Sequence, residues 1–232
     1  MNQKPLPLSQ QKPVANGSSR WVYQHPDQPG FLIKVLKNRL PAQQVYGLKN
    51  RIKALKGRHK LTRHMREIEQ YITVKSCRND QFIEHLPMMT ALQDTDMGFG
   101  VVVEAITDTQ GRLAPTLTDL VHNKLMTIQR ITLLEIFFER LLRSDVVAGD
   151  VHGRNIVLET KTDGTERFVL VDGLGDSTII PTRALSWWIN RYKKIEGIKK
   201  QRKRYTAQLT SKEIRKAADL QCVCSLFTPY DK

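Results

Sequence analysis

An α+β fold, with a small strand-rich first part and a helix-dominated second part, is what this sequence predicts. Three observations carry the prediction. Short β-rich runs at 14–15, 21–23 and 31–36 are separated by clusters of Gly, Pro and Asn, as in a meander of strands. Residues 42–74 lack Pro and are rich in Lys, Arg, Leu and Glu, which favours one long helix. Residues 127–143 carry Ile128, Ile131, Leu134, Phe138 and Leu141 at helical spacing, the mark of a helix with one buried stripe.

Taken in order, residues 1–13 hold three Pro and three Gln without periodicity and read as a loose tail. The meander follows from residue 14, then the long helix, on which Glu67 and Tyr71 stand four apart and share a face, while Glu69 faces away from Glu67. Runs 81–86 and 100–106 are the next strand candidates, the second containing Val101-Val102-Val103. These elements make a first lobe of 14–106. The second, 107–232, begins with a short helix at 117–125 and the strong one at 127–143. Gly149 and Gly153 mark a loop over 144–154, and strands at 156–158 and 168–171 flank Thr162-Asp163-Gly164-Thr165, a hairpin signal. Basic helices fill most of 183–218.

Composition narrows the class. The chain has 232 residues, 40% apolar and 26% charged, which is globular rather than disordered or collagen-like. No apolar run reaches the ~18 residues of a membrane span, since the densest, 131–138, is interrupted by Glu135. The N-terminus has no continuous apolar stretch of the kind that begins a secretory signal. Three Cys argue against a disulfide framework and for a reducing compartment, hence a cytoplasmic protein. Cys222 and Cys224 leave only Cys77 to complete a thiolate set, so buried or inert thiols are favoured over zinc.

The net charge of +14 is uneven: residues 183–216 hold twelve Lys/Arg against Glu196 and Glu213, and 49–66 hold eight with no acid. Such patches attract phosphate-bearing partners, whether nucleic acid, nucleotide or an anionic membrane surface. The plainer alternative is a solvated helix face, with Ile189, Tyr192, Ile195 and Ile198 as its buried stripe. Aromatics are too sparse for single-strand stacking and no groove-reading motif is present. Nucleic-acid binding through 183–216 is therefore expected to be weak and non-specific.

The hairpin carries the chemistry. With Asp163 and Gly164 as its two central residues, Ile156 falls opposite Val171 and Asn155 opposite Asp172. Opposed residues have Cβ atoms about 4.5–5.5 Å apart, and a carboxylate beside an amide oxygen suits a hard cation such as Mg²⁺. Asp150, five residues before Asn155 in a Gly-flanked loop, overhangs the same point. Each element has a plainer reading: Asp150 and Asn155 as loop caps, Lys34 snorkelling from an edge strand, Gly17 closing a turn, Glu67 as a solvated helix acid.

Their joint order is that of a known superfamily. Gly17-Ser18-Ser19-Arg20-Trp21-Val22-Tyr23 resembles a reduced glycine-rich loop, and Lys34 in Leu32-Ile33-Lys34-Val35 resembles the strand-three lysine. Glu67 in Arg66-Glu67-Ile68 resembles the helix glutamate that pairs with that lysine. Asp150-Val151-His152-Gly153-Arg154-Asn155 is similar to the catalytic-loop Asp-x-x-x-x-Asn, and Asp172-Gly173-Leu174-Gly175 stands where the metal-binding Asp-Phe-Gly would be. From residue 14 onward the chain resembles the protein-kinase-like superfamily. More narrowly, Tyr23-Gln24-His25-Pro26, Arg66-Glu67 with Tyr71, and the run from Asp172 to Pro181 are similar to the bacterial YrbL family, named for the PhoP regulatory network.

The resemblance implies a two-lobe kinase-like fold with ATP and Mg²⁺ as cofactors. It implies that Lys34 contacts the α/β-phosphates and is held by Glu67, and that Gly17, Ser18 and Ser19 place amides near the phosphates. Glu104 to Ile106 would be the hinge that meets adenine, Asn155 and Asp172 would hold Mg²⁺, and Asp150 would orient the attacking hydroxyl. Departures are plain: one Gly in the phosphate loop, Ala148 and Gly149 in place of His and Arg before the catalytic Asp, Gly173 in place of Phe, and no Ala-Pro-Glu after Pro181. The shortened end is closer to small-molecule kinases. Three readings follow: an ATP-dependent phosphotransferase whose unknown acceptor is a small molecule or a cell-envelope component; a pseudokinase-like regulator that binds nucleotide or partner without transfer; and a nucleic-acid binder.

Overall fold

The computed structural model describes residues 4–17, 19–37, 48–77, 80–175 and 186–207, with the backbone alone for 48–60 and 63. It is a mixed α+β chain dividing into two compact units, Met1–Ile68 with Pro87–Ala105, and Glu69–Leu86 with Ile106–Lys232.

The first unit is built on an antiparallel sheet of five strands, β1 (Ala15–Asn16), β2 (Arg20–Gln24), β3 (Phe31–Leu36), β4 (Met89–Thr95) and β5 (Gly98–Glu104), in the order β1-β2-β3-β5-β4. β3 is central, with Lys34 opposite Val22 on one side and Val101 on the other. Tyr23, Ile33, Val35 and Val102 form its core together with Leu8. The segment expected to be a loose tail is therefore partly pinned. Leu6 bridges to Thr95, and the amide of Leu8 donates to the Asp96 carboxylate at 2.8 Å, which delivers a fully buried Leu8. β4 lies outside the strand runs that the sequence predicts. It is an edge strand with most of its side chains exposed, so Met89-Thr-Ala-Leu-Gln-Asp-Thr95 shows little of the apolar alternation that announces a strand. Helix α1 (Leu48–Ser76) carries Lys75 in its last turn, where a cation suits the helix dipole.

In the second unit, 81–86 is no strand. Gln81–His85 is a 3₁₀ turn capped by Asp80, whose side chain accepts from the amide of Phe82 at 2.9 Å. Phe82 and His85, three apart, are brought to one side and bury against Phe137. Helix α2 (Leu117–His122) starts in a Thr116/Asp119 capping box, and Thr127 caps α3 (Ile128–Arg143). Ile131, Leu134, Phe138 and Leu141 are buried as the spacing requires, and Glu135 is buried with them. Strands β6 (Ile156–Thr160) and β7 (Glu166–Leu170) pair as a two-stranded sheet, and helix α4 (Trp187–Thr206) is capped by Ser186.

The β6–β7 register differs by one from the sequence expectation. Ile156 faces Leu170, and the amide of Val171 donates to the carbonyl of Asn155 at 2.8 Å. The loop has three residues, Thr162 to Gly164, because Gly164 closes a turn onto Lys161 and then takes φ +82°. Such a turn followed by a left-handed Gly is the next commonest hairpin after the two-residue form. Asn155 and Asp172 are accordingly not an opposed pair.

Candidate functional site

In the first unit, strand β3 and helix α1 bring Lys34 and Glu67 together. Lys34 is 8% and Glu67 6% exposed, with Nζ 3.5 Å from Oε1. Glu69 is exposed. Two further residues join them. Arg20 donates to Oε2 of Glu67, and its Nη1 stands 3.3 Å from Nδ1 of His64. His64 precedes Glu67 by three residues, so helical spacing was a usable signal. Arg20 was legible only through the strand register: Val22 faces Lys34, and Arg20, two residues away, shares that face.

The expected phosphate loop is a hairpin turn. Gly17 donates its amide to the carbonyl of Arg20 at 3.0 Å and accepts from Lys37, while the carbonyl of Ser19 accepts from the Lys37 amide at 2.9 Å. Ser18 lies outside the described residues. At the expected hinge, the amide of Glu104 donates to Met88 at 2.8 Å and that of Ala105 to Gly30 at 2.8 Å. Ile106 is buried beside Ala114, Val157 and Val169, and its carbonyl accepts from Ala114 at 2.9 Å.

In the second unit, the loop after α3 folds onto the segment after β7. The amides of Gly149 and Asp150 both donate to the carbonyl of Gly173, at 2.7 and 3.1 Å, and Gly175 donates to Val147 at 2.7 Å. Asn155 Nδ2 donates to the Asp150 carbonyl at 3.1 Å, which turns Oδ1 to the other side. Asp172 Oδ1 accepts from the amide of Gly173 at 2.6 Å. Asp150, Asn155 and the Asp172-Gly173 corner thus meet through loop hydrogen bonds to the main chain rather than as an opposed pair in the ladder. Gly173 has φ +96°, and a Cβ on it would stand 2.5 Å from the Asp150 carbonyl oxygen. No larger residue fits there. Oxygen donors on Asn155 and Asp172 suit a hard cation. Among the described residues no group of three His, Cys, Asp or Glu is arranged to hold a metal.

Helix α4 grips this loop from behind, and here the expected stripe fails. Of Ile189, Tyr192, Ile195 and Ile198 only Ile198 is buried; the buried line is Asn190, Lys194, Ile198, Gln201 and Tyr205. Its polar members answer carbonyls left over at the end of α3 and in the loop. Lys194 Nζ donates to Leu141 at 2.9 Å and Ser144 at 2.7 Å, Asn190 to Val146 at 3.1 Å, and Gln201 to Val151 at 3.1 Å. Burial pulls the Lys194 ammonium down to about 8, against the opposing pull of Asp145 and Asp80. Arg202 and Tyr205 bind the buried Glu135. Arg204 stands 3.3 Å from Nε2 of His152, whose pKa falls through partial burial and then that guanidinium. Part of the basic stretch is therefore structural; Arg183, Lys212, Arg215 and Lys216 lie outside the described residues, as do Cys222 and Cys224. Cys77 is exposed. No described helix is long and apolar enough to cross a membrane.

With that geometry in place, comparison with known proteins is decisive for the family. The family model described as PhoP regulatory network protein YrbL matches residues 6–209. The chain belongs to the YrbL family. Two relatives, each described as uncharacterized protein YrbL, come from Escherichia coli K12 and Shigella flexneri. Each is 25% identical over 185 residues, covering 78% of this chain and 79% of the relative. The YrbL family match spans both units, including every candidate residue from Gly17 to Asp172.

Proposed function

We propose that this protein is a kinase-like, ATP-binding phosphotransferase of the protein-kinase-like superfamily. Its lobes would be 14–106 and 107–232, and its acceptor a small molecule or envelope component reached from the cytoplasm. The reading rests chiefly on one observation, the double donation of Gly149 and Asp150 to Gly173 with Asn155 bonded to Asp150. Two distant segments are so joined, and between them they carry three oxygen-bearing side chains, on Asp150, Asn155 and Asp172. Asp150 is exposed, as a group that meets an acceptor hydroxyl must be, and would orient it and take its proton. Asn155 and Asp172 would hold Mg²⁺, which binds through one or two protein oxygens and completes its shell with phosphates and water. Bound there, the ion supplies charge neutralisation on the transferring phosphate. Lys34, oriented by Glu67, would bind the α/β-phosphates. Gly173 in place of Phe accords with the close approach to Asp150, where a side chain has no room.

A second reading, a regulator that binds nucleotide or a partner without transfer, is favoured by the amides. Gly17, Glu104 and Ala105 already spend theirs on internal bonds, so backbone recognition of phosphate and adenine is reduced.

Titration with Mg-ATP tests both readings. At about 100 times Kd a ligand adds about 2.7 kcal/mol, or roughly 5–10 °C in Tm for a chain of this size. ATP without metal should shift Tm less, and Asp172→Ala should remove the metal-dependent part. Asp150→Asn should leave the shift intact and lower turnover by about 10²–10⁴-fold. A shift without ATP hydrolysis or autophosphorylation selects the regulator. No shift at millimolar Mg-ATP removes both.

A further inference from the structure

We propose that the outer face of α4 is a docking surface for an anionic phospholipid bilayer. The helix lies on its own unit by the line Asn190, Lys194, Ile198, Gln201 and Tyr205. The opposite face is divided along its length. At the N-terminal end Trp188 is 64% and Tyr192 65% exposed, with Ile189 beside them and Trp187 half exposed, its ring 4.9 Å from that of Trp188. At the C-terminal end Lys199, Lys200 and Lys203 are exposed. Trp188, Tyr192, Lys199 and Lys203 fall within one sector of the helix at 3.6 residues per turn, spread over about 22 Å at 1.5 Å per residue.

Large apolar side chains clustered in water mark an interaction site, and the two ends of this face ask for different things. Trp and Tyr rings settle at the headgroup level of a bilayer, with the ring among acyl carbons and the polar tip in water. Lysines beside them are drawn to anionic headgroups. A helix that offers both lies in the plane of the interface. The chain's net charge of +14 adds long-range attraction to the same surface. Duplex nucleic acid would engage the lysines and leave Trp188, Ile189 and Tyr192 in water, so the bilayer is the partner that uses the whole face. The proposal is independent of phosphotransfer.

Flotation of the full chain with vesicles tests it, using phosphatidylcholine alone and phosphatidylcholine mixed with phosphatidylglycerol, with tryptophan fluorescence as a second readout. Binding is expected to the mixed vesicles only, with a blue shift of the emission. Trp188→Ser with Tyr192→Ser should abolish the blue shift. Lys199→Ser with Lys203→Ser should weaken binding roughly thirty-fold, from the contribution of two lysines near an anionic surface. All four positions are exposed, so unchanged unfolding midpoints will show that the variants fold. The proposal is overturned by failure to float with anionic vesicles at low salt. It is equally overturned if the aromatic pair proves dispensable while the lysines govern binding to duplex DNA, or if the aromatic patch instead joins two copies of the chain in sedimentation.

Discussion

Lys34 and Lys194 are both buried ammonium groups, one in each unit, and they are held in opposite ways. Lys34 sits in a regular strand and answers a carboxylate, Glu67, which it shares with Arg20. Lys194 sits on a helix and answers two backbone carbonyls at the ragged end of α3. The difference extends to the candidate residues around them. In the sheet unit, side-chain charges hold side-chain charges. In the helical unit, Asp150 and Asn155 are placed by main-chain bonds and by glycines that permit close approach. The first arrangement is vulnerable to a change of charge and the second to a change of volume.

Removal of a charge from the first arrangement should have the largest effect. Glu67→Ala takes away the carboxylate that faces two buried cations, and breaking a buried pair in this way costs about 3–5 kcal/mol. Urea unfolding measures it. Glu67→Gln keeps the volume, so a loss just as large in Gln as in Ala would show that charge is what matters, while a mild Gln variant would show that packing does.

Addition of volume to the second arrangement comes next. Gly173→Ala places a Cβ 2.5 Å from the Asp150 carbonyl oxygen at φ +96°. The left-handed backbone costs about 1–2 kcal/mol, and overpacking about 1–3 kcal/mol more, giving a loss of about 2–5 kcal/mol. Gly17→Ala is the control, because the nearest atom to its Cβ would be 3.6 Å away; its loss should stay within about 0.5 kcal/mol. Equal losses at the two glycines would break the contrast between the units.

The same contrast explains what could be read in the sequence. Lys34 and Glu67 stand in periodic elements, where alternation and helical spacing place a side chain without knowledge of distant chain. Their partner Arg20 needed one strand register, and His64 only helical spacing. The loop was legible as an Asp-x-x-x-x-Asn motif, yet its geometry was not. One residue more in the Thr162 to Gly164 turn moved Asn155 from Asp172 to Val171, since a one-residue slip changes every pair in a ladder. Helix α4 misled for a related reason. Its isoleucines suggest a buried apolar stripe, but the surface beneath it is a row of unpaired carbonyls, so Asn190, Lys194 and Gln201 turn inward. Apolar pattern finds a helix's buried face only where the surface it covers is itself apolar.

The smallest of these effects is a pH dependence that Lys194 should confer. The folded state holds the Lys194 pKa at about 8 against an ordinary 10.5, chiefly because burial at 2% exposure disfavours the charged form. Asp145 and Asp80 oppose this, and Arg191 adds to it. Between those two pH values the unfolded chain binds more protons than the folded one, so stability rises with pH. The contribution is present in full above the unfolded pKa and is lost as pH falls through the folded one. From pH 7 to pH 10 the gain attributable to this group is about 2–3 kcal/mol, at 1.36 kcal/mol per pKa unit. Surface lysines titrate in the same range, so the measurement is the difference between wild type and Lys194→Met in urea unfolding across that window. The Met variant should lack the rise, and it should gain ground on the wild type as pH falls. If the two curves stay parallel, Lys194 keeps its proton in the fold up to the ordinary range, and its bonds to the Leu141 and Ser144 carbonyls offset the cost of burying the ammonium.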